Sequence, residues 1–154
     1  SLFGDGSISY VVTEGGNCKI LNSMEHTWKD SLNLMGWGVE DDGLSVIFDK
    51  IIPEFITKKL PQVVNKFPLK DLDGYVLHSG GMKIIDAYKK IFNNDPTIEV
   101  SQKILSEYGN VSSVSVLLVL KEMIKKKSNG IFLMSALGPG FTAGMTGLKI
   151  YSND

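Results

Sequence analysis

Apolar positions fall into short β-type runs near the two ends of the chain and into helical stripes through its middle. Ser7-Ile8-Ser9-Tyr10-Val11-Val12-Thr13 is built of small and β-branched residues and reads as a strand closed by the turn signal Gly15-Gly16-Asn17. Residues 19–23 continue as its expected neighbour. Residues 24–42 are polar and broken by Gly36 and Gly38, so they read mostly as loop, with Trp28 and Trp37 as plugs. Leu44-Ser45-Val46-Ile47-Phe48 is a short strand. Pro53 suits the first turn of a helix, where its missing N–H has no partner to lose. From Glu54 onward Phe55, Ile56, Leu60, Val63, Val64 and Phe67 recur at helical spacing.

Residues 73–78 read as a strand that delivers His78 at its carboxyl end, with Gly80 and Gly81 making the turn. Ile84, Ile85, Tyr88, Ile91 and Phe92 then share one helix face, which ends near Asn93-Asn94. Residues 100–106 predict a second short helix or turn. Residues 114–120 are apolar nearly all round, which predicts a buried helix with Lys125-Lys126-Lys127 at its favourable C-terminal end. Residues 131–135 and 148–151 are the closing strands, joined through Gly138-Pro139-Gly140. Strands alternating with helices predict an α/β fold. Neither a linker nor an internal repeat is visible, so one compact unit is expected.

At 154 residues the chain can bury a core of its own. Its formal net charge is −1, and all 16 basic residues are Lys. The absence of Arg removes the bidentate side chain favoured for reading bases, which argues against sequence-specific nucleic-acid binding. A single cysteine, Cys18, excludes an internal disulfide framework and a Cys-rich zinc site, and fits a cytoplasmic setting. No apolar run approaches the ~20 residues of a membrane span. The chain opens on Ser1-Leu2-Phe3-Gly4-Asp5-Gly6, inside what reads as a buried strand, and is expected to be a piece of a longer one.

Two stretches concentrate chemistry. In Ser106-Glu107-Tyr108-Gly109-Asn110-Val111-Ser112-Ser113, an amide and hydroxyls collect where an apolar helix begins. Helix N-termini gather unpaired N–H groups and the positive end of the macrodipole. Asn110 or Ser112 there either caps the helix or, for Asn110, aims an NH2 at an oxygen that gains charge in a reaction. In Leu77-His78-Ser79-Gly80-Gly81-Met82-Lys83, His78 ends a strand beside two glycines, where a ligand can approach; a structural histidine fits the same spacing. His26, near Glu25 and Lys29, reads as surface. No metal constellation, phosphate loop or nucleophile elbow accompanies them. Cys18 follows a turn rather than opening a helix, so it reads as an inert, half-buried thiol.

These stretches also carry a resemblance. Leu2-Phe3-Gly4-Asp5-Gly6-Ser7 resembles the LFGDGA segment of the type III polyketide synthases, the chalcone-synthase-like condensing enzymes. Leu77-His78-Ser79-Gly80-Gly81-Met82-Lys83-Ile84-Ile85-Asp86 is similar to that family's HPGG…ILD motif. Residues 104–113 resemble VLSEYGNMSS, and Ala136-Leu137-Gly138-Pro139-Gly140 resembles the GFGPG loop. Four matches in the right order cover nearly the whole chain.

The resemblance implies a thiolase-like α/β fold, here its C-terminal half, a mixed sheet covered by helices and incomplete without the N-terminal half. Residues 1–25 are expected to be closing strands of the amino-terminal half, and 26–154 the carboxyl-terminal half. It also implies a Cys–His–Asn site in which His78 and Asn110 are the histidine and asparagine, acting on malonyl-CoA and an acyl-CoA starter. Phe3 matches one gatekeeper phenylalanine; the other falls on Val46, a smaller side chain that suggests a wider pocket and a different starter, such as a fatty acyl group. Gly80, Gly81, Ser112, Gly138, Pro139 and Gly140 fall at substrate-binding positions. Ser79 replaces the family's Pro and Leu137 its Phe, changing the pocket's shape. The nucleophilic cysteine and the basic residues that bind CoA belong to the amino-terminal half, so this chain alone is expected to be inactive. CoA thioesters are substrates, and neither cofactor nor metal is expected. A cytoplasmic homodimer is implied by the family alone. The alternatives are a ketoacyl-carrier-protein synthase III-like enzyme and a non-catalytic scaffold subunit paired with a catalytic partner.

Overall fold

The computed structural model describes residues 3–151. Its centre is a four-stranded mixed sheet in the order β1 (Cys18–Thr27), β6 (Thr142–Ile150), β5 (Gly130–Gly138), β4 (Gly74–Leu77). The first three strands run antiparallel to one another in turn, while β4 joins β5 in parallel, with Leu77 beside Ser135. A parallel neighbour needs a crossover. The chain supplies it with α2 (Met82–Ile91), α3 (Ile98–Tyr108) and α4 (Val114–Lys125) between β4 and β5. A separate hairpin, β2 (Met35–Glu40) and β3 (Gly43–Phe48), precedes α1 (Ile52–Val64).

Alternation along the strands feeds two cores, one on each face of the sheet. On one face Leu77, Phe141 and Ala143 meet Ile52, Ile56 and Leu60 of α1 and Ile84, Ile85 and Tyr88 of α2. Val76, Phe132 and Ile150 point the other way, against Val100 and Ile104 of α3 and Val116, Val119 and Met123 of α4. The helices begin where the sequence suggests: Pro53 lies in the first turn of α1, and Gly81 precedes α2.

Five expectations are corrected. Residues 7–13, with the composition of a strand, form none; Tyr10, Val11 and Val12 are exposed, because among the described residues no strand edge lies beside them. Residues 19–23 therefore pair not with that run but, as part of β1, with β6. Residues 35–40, expected as loop, are β2; Gly36 and Gly38 sit in the strand opposite Ile47 and Ser45. Trp28 does plug, stacked 5.7 Å from Phe141 and edge-on to Phe55 at 5.3 Å, whereas Trp37 is 58% exposed on the hairpin. Finally, α4 is not buried all round. It packs one face on the sheet and on α3, so Leu117, Leu118 and Leu120 stay half-covered.

Candidate functional site

β4 stops at Leu77, and His78 continues the ladder by one rung, its N–H donating to Ser135 O at 3.0 Å. The sheet therefore fixes the histidine backbone. Two buried hydroxyls lock the same corner: Ser101 Oγ donates to Leu77 O at 2.9 Å, and Ser79 Oγ donates to Ser101 O at 3.0 Å. Neither partner is readable from local sequence, although Ser101 recurs with Ile98 and Ile104 on the buried stripe of α3, a spacing that marks a serine kept in a core for its hydroxyl. Gly81 then turns the chain into α2 with φ 152°, a backbone region closed to side chains with a Cβ.

His78 is 8% exposed, and burial holds its imidazole well below the ordinary value, down to about 4, so the ring is neutral at pH 7. Its Nδ1 is buried without a hydrogen-bond partner. Its Cδ2–Nε2 edge lies against Gly80, where an added Cβ would stand 3.4 Å from both atoms.

Asn110 reaches the same glycine from the other side. α3 ends at Tyr108, and Gly109 takes φ 71° to release the chain from the helix. Asn110 follows, 6% exposed, and its Nδ2 donates to Gly80 O at 3.2 Å while its Oδ1 accepts from Ser112 N at 2.9 Å. A carbonyl on one side and an N–H on the other leave only one orientation of the amide. Its nitrogen faces the His78 turn, and the second N–H is directed by the same geometry. Helix capping falls elsewhere: Ser113 is the N-cap of α4 with no side-chain bond, while buried Ser115 Oγ accepts from Val111 N at 3.0 Å.

Phe3 joins this cluster through the backbone, forming a bridge with Asn110, and Gly4 N donates to Asn110 O at 3.1 Å. Phe3 itself is about half exposed. Ser112 is exposed with φ 56°. Gly138 ends β5 opposite Thr142, Pro139 and Gly140 turn the chain toward β6, and Phe141 ties that turn to Ser31 Oγ at 2.7 Å and to Trp28 N at 3.0 Å. Val46 sits on β3 opposite Trp37. Among the described residues no hydrogen bond links Val46 or the Gly-Pro-Gly turn to His78 or Asn110. The structure thus gathers Phe3, His78, Gly80, Gly81, Asn110 and Ser112, and holds the others on separate elements.

A cavity of about 440 Å³ lies on the α4 side of the sheet, lined by Ser23, Glu25, Val116, Met134 and Thr146 among others, and neither His78 nor Asn110 lines it. No group of three or more metal-ligating side chains occurs among the described residues. Cys18 opens β1 half-buried, and burial raises its thiol pKa, so little thiolate forms there. Chemically, the cluster offers a neutral ring and an oriented amide that both touch Gly80, groups of the kind that can stabilise an oxyanion. No helix among the described residues is long and apolar enough to cross a membrane.

The family model of the chalcone and stilbene synthases, C-terminal domain, matches residues 19–146. A chalcone synthase-like protein of Bacillus subtilis (strain 168) is 34% identical over 93% of this chain and 45% of its own length. A 1,3,6,8-tetrahydroxynaphthalene synthase of Streptomyces peucetius is 29% identical over 93% and 42%. In fold, the C-terminal type III polyketide synthase domain of Steely1, a type I/III hybrid from Dictyostelium, superposes with a TM-score of 0.79 at 24% identity, over 87% of this chain and 40% of that one. The chain therefore spans under half the length of these relatives. Its mixed sheet with helices on both faces is the thiolase-like arrangement of their carboxyl-terminal part. The family model's match over residues 19–146 makes this chain a member of the chalcone and stilbene synthase family, corresponding to its C-terminal domain.

Proposed function

We propose that this chain supplies the histidine and asparagine of a type III polyketide synthase that extends an acyl-CoA starter with malonyl units, while the nucleophilic cysteine comes from an amino-terminal half. In this reading malonyl-CoA loses CO2, and the electron pair of the broken C–C bond moves onto the thioester oxygen as an enolate. His78 and Asn110 each donate an N–H to that oxygen. The enolate carbon then attacks the acyl group held on the cysteine sulfur; a C–C bond forms and the thiolate leaves. His78, placed beside that sulfur, also favours its thiolate form. The reaction is an acyl transfer, carried out by a cytoplasmic homodimer. The arm before β1 belongs, in the same reading, with the closing strands of the amino-terminal half, and the strand-like composition of residues 7–13, which form no strand here, supports this.

The observation that carries the proposal is the single orientation of the Asn110 amide, set by Ser112 N–H and Gly80 O, on the glycine against which the His78 ring packs. A residue serving only as a cap would have its amide spent on the helix end, whereas Asn110 Nδ2 is given to Gly80 O and its Oδ1 to Ser112 N, ahead of α4. Gly80, Gly81 and Ser112 frame the thioester. Phe3, Val46 and the turn at Gly138, Pro139 and Gly140 shape the space for the starter, and the smaller Val46 side chain leaves room for a bulky one such as a fatty acyl group.

The test is CO2 release from malonyl-CoA by this chain assembled with its cysteine-bearing half. His78→Ala and Asn110→Ala are each expected to lower the rate about 10²–10³-fold, the effect of deleting one oxyanion donor, with unchanged assembly. Full activity in either variant removes the catalytic role and leaves the chain a scaffold.

A further inference from the structure

Among the described residues β4 is an edge strand, so one row of its backbone groups has no neighbouring strand to bond. His78 N–H points inward to β5, and successive residues of a strand alternate, so Tyr75 and Leu77 face the open edge. Helix α3 meets that edge with two hydroxyls. Tyr75 N donates to Thr97 Oγ1 at 2.8 Å, and Ser101 Oγ donates to Leu77 O at 2.9 Å. Ser79, two residues on, closes the row by donating its Oγ to Ser101 O at 3.0 Å.

The repeats of helix and strand allow this match in one register. Thr97 and Ser101 stand one helical turn apart, ~6 Å along the axis. Tyr75 and Leu77 are two strand residues apart, ~7 Å. Shifting the helix by one residue would rotate it by about 100° and turn both hydroxyls away from the edge. Thr97 is the N-cap residue of α3, yet its side chain makes no capping bond. Its hydroxyl accepts from Tyr75 and donates to Asp95 Oδ1 instead. Gly74 makes room for it: a Cβ there would stand 2.5 Å from Thr97 Cγ2 and 2.9 Å from its Oγ1.

The same two elements deliver the two donors. β4 runs directly into His78, and α3 releases the chain at Gly109 into Asn110, whose Nδ2 returns to Gly80 O at 3.2 Å. The contacts advance along both segments together, 75 with 97, 77 with 101 and 80 with 110. Strand and helix therefore lie side by side in the same sense, and the register between them sets where the amide stands relative to the imidazole. We infer that Thr97 and Ser101 are positioning residues, whose hydroxyls hold α3 on the free edge of β4 in the register that brings His78 and Asn110 to one thioester oxygen. The inference rests on the proposed condensing activity. Neither hydroxyl touches substrate; both act through the strand and helix that carry the donors.

The test is malonyl-CoA decarboxylation by the enzyme assembled with its cysteine-bearing half. Thr97→Val keeps the shape of the side chain and loses the acceptor, whereas Thr97→Ser loses the methyl group and keeps it. The double variant T97V/S101A is expected to lower kcat about tenfold with KM for malonyl-CoA nearly unchanged, as for a reacting group moved by under ~1 Å. Thr97→Ser alone should keep the rate of the unaltered enzyme, and Thr97→Val alone should lower it. In an Asn110→Ala background the double variant should lose less than about twofold further, because the alignment it spoils no longer has two donors. An unchanged kcat in the double variant overturns the inference. So does Thr97→Ser losing as much as Thr97→Val, which would make the residue a packing contact only. A full tenfold loss that persists in the Asn110→Ala background also overturns it, since the hydroxyls would then act on something other than the donor pair. If His78→Ala and Asn110→Ala themselves decarboxylate at full rate, the catalytic reading falls and this one with it. If those two lose activity while the hydroxyl variants keep it, only the register inference falls.

Discussion

Burial decides the protonation of His78, and that has a measurable consequence for stability. Its folded value of about 4 lies below the ordinary value of 6.5, so between these pH values the unfolded chain binds more protons than the folded one. Stability is therefore full above pH 6.5 and is lost as pH falls toward 4. The loss reaches about 3 kcal/mol, because each tenfold difference in proton affinity between the folded and unfolded chain is worth about 1.4 kcal/mol. Denaturant unfolding at pH 7.5 and pH 4.5 checks this. His78→Gln should flatten the slope over that window whatever it does to the absolute stability; an unchanged slope would place the titration elsewhere. Val46 is the other informative residue. Restoring a ring with Val46→Phe is expected to shift starter choice in the assembled enzyme toward smaller acyl-CoAs by about tenfold, the scale of a pocket filled by a few methylenes. Product ratios from paired starters measure it, and an unchanged ratio removes Val46 from the starter pocket. His78 and Asn110 were both legible as residues, through their motifs. The orientation of the Asn110 amide was not, because it depends on Gly80, thirty positions away in the chain.

Among the elements, the start of α4 separates propensity from structure. Asn110 or Ser112 reads as a cap, yet the N-cap position of α4 falls on Ser113, which makes no side-chain bond, and buried Ser115 inside the first turn bonds Val111 N–H. Ser115→Ala should cost about 1–2 kcal/mol, since it leaves a buried N–H without its acceptor. Ser113→Ala should change stability by less than ~0.5 kcal/mol, as for an ordinary surface site. Thermal or urea unfolding of both variants tests the contrast, and equal losses would contradict it. The helices themselves were readable because Pro53, Gly81 and the stripes Ile56–Leu60–Val63 and Ile84–Ile85–Tyr88 mark their starts and buried faces. Residues 7–13 failed for the opposite reason. β-branched composition states that a segment fits a sheet, but a strand exists only where a neighbouring edge accepts its hydrogen bonds.

At the scale of the molecule, the β2–β3 hairpin presents an apolar face to solvent. Cross-strand pairs Met35–Phe48, Trp37–Val46 and Val39–Leu44 put six apolar side chains on one side. Val39 is 85% and Leu44 68% exposed. An exposed patch of this kind makes a chain self-associate. Val39→Lys together with Leu44→Glu, an opposite-charge cross-strand pair, should lower concentration-dependent light scattering with thermal stability nearly unchanged. Scattering that stays the same would show that another surface drives association.

By itself the sequence determined the α/β alternation, the starts of the helices that frame the site, and the two motifs that carry His78 and Asn110, because local periodicity and turn chemistry act within a few residues. Only the tertiary structure decided which strand lies beside which, that Trp37 is outside and Trp28 inside, that Ser101 and Ser79 lock the end of β4, and that histidine and amide meet over Gly80. Those outcomes depend on edges, faces and burial that form when distant segments pack, and burial is also what keeps the imidazole neutral.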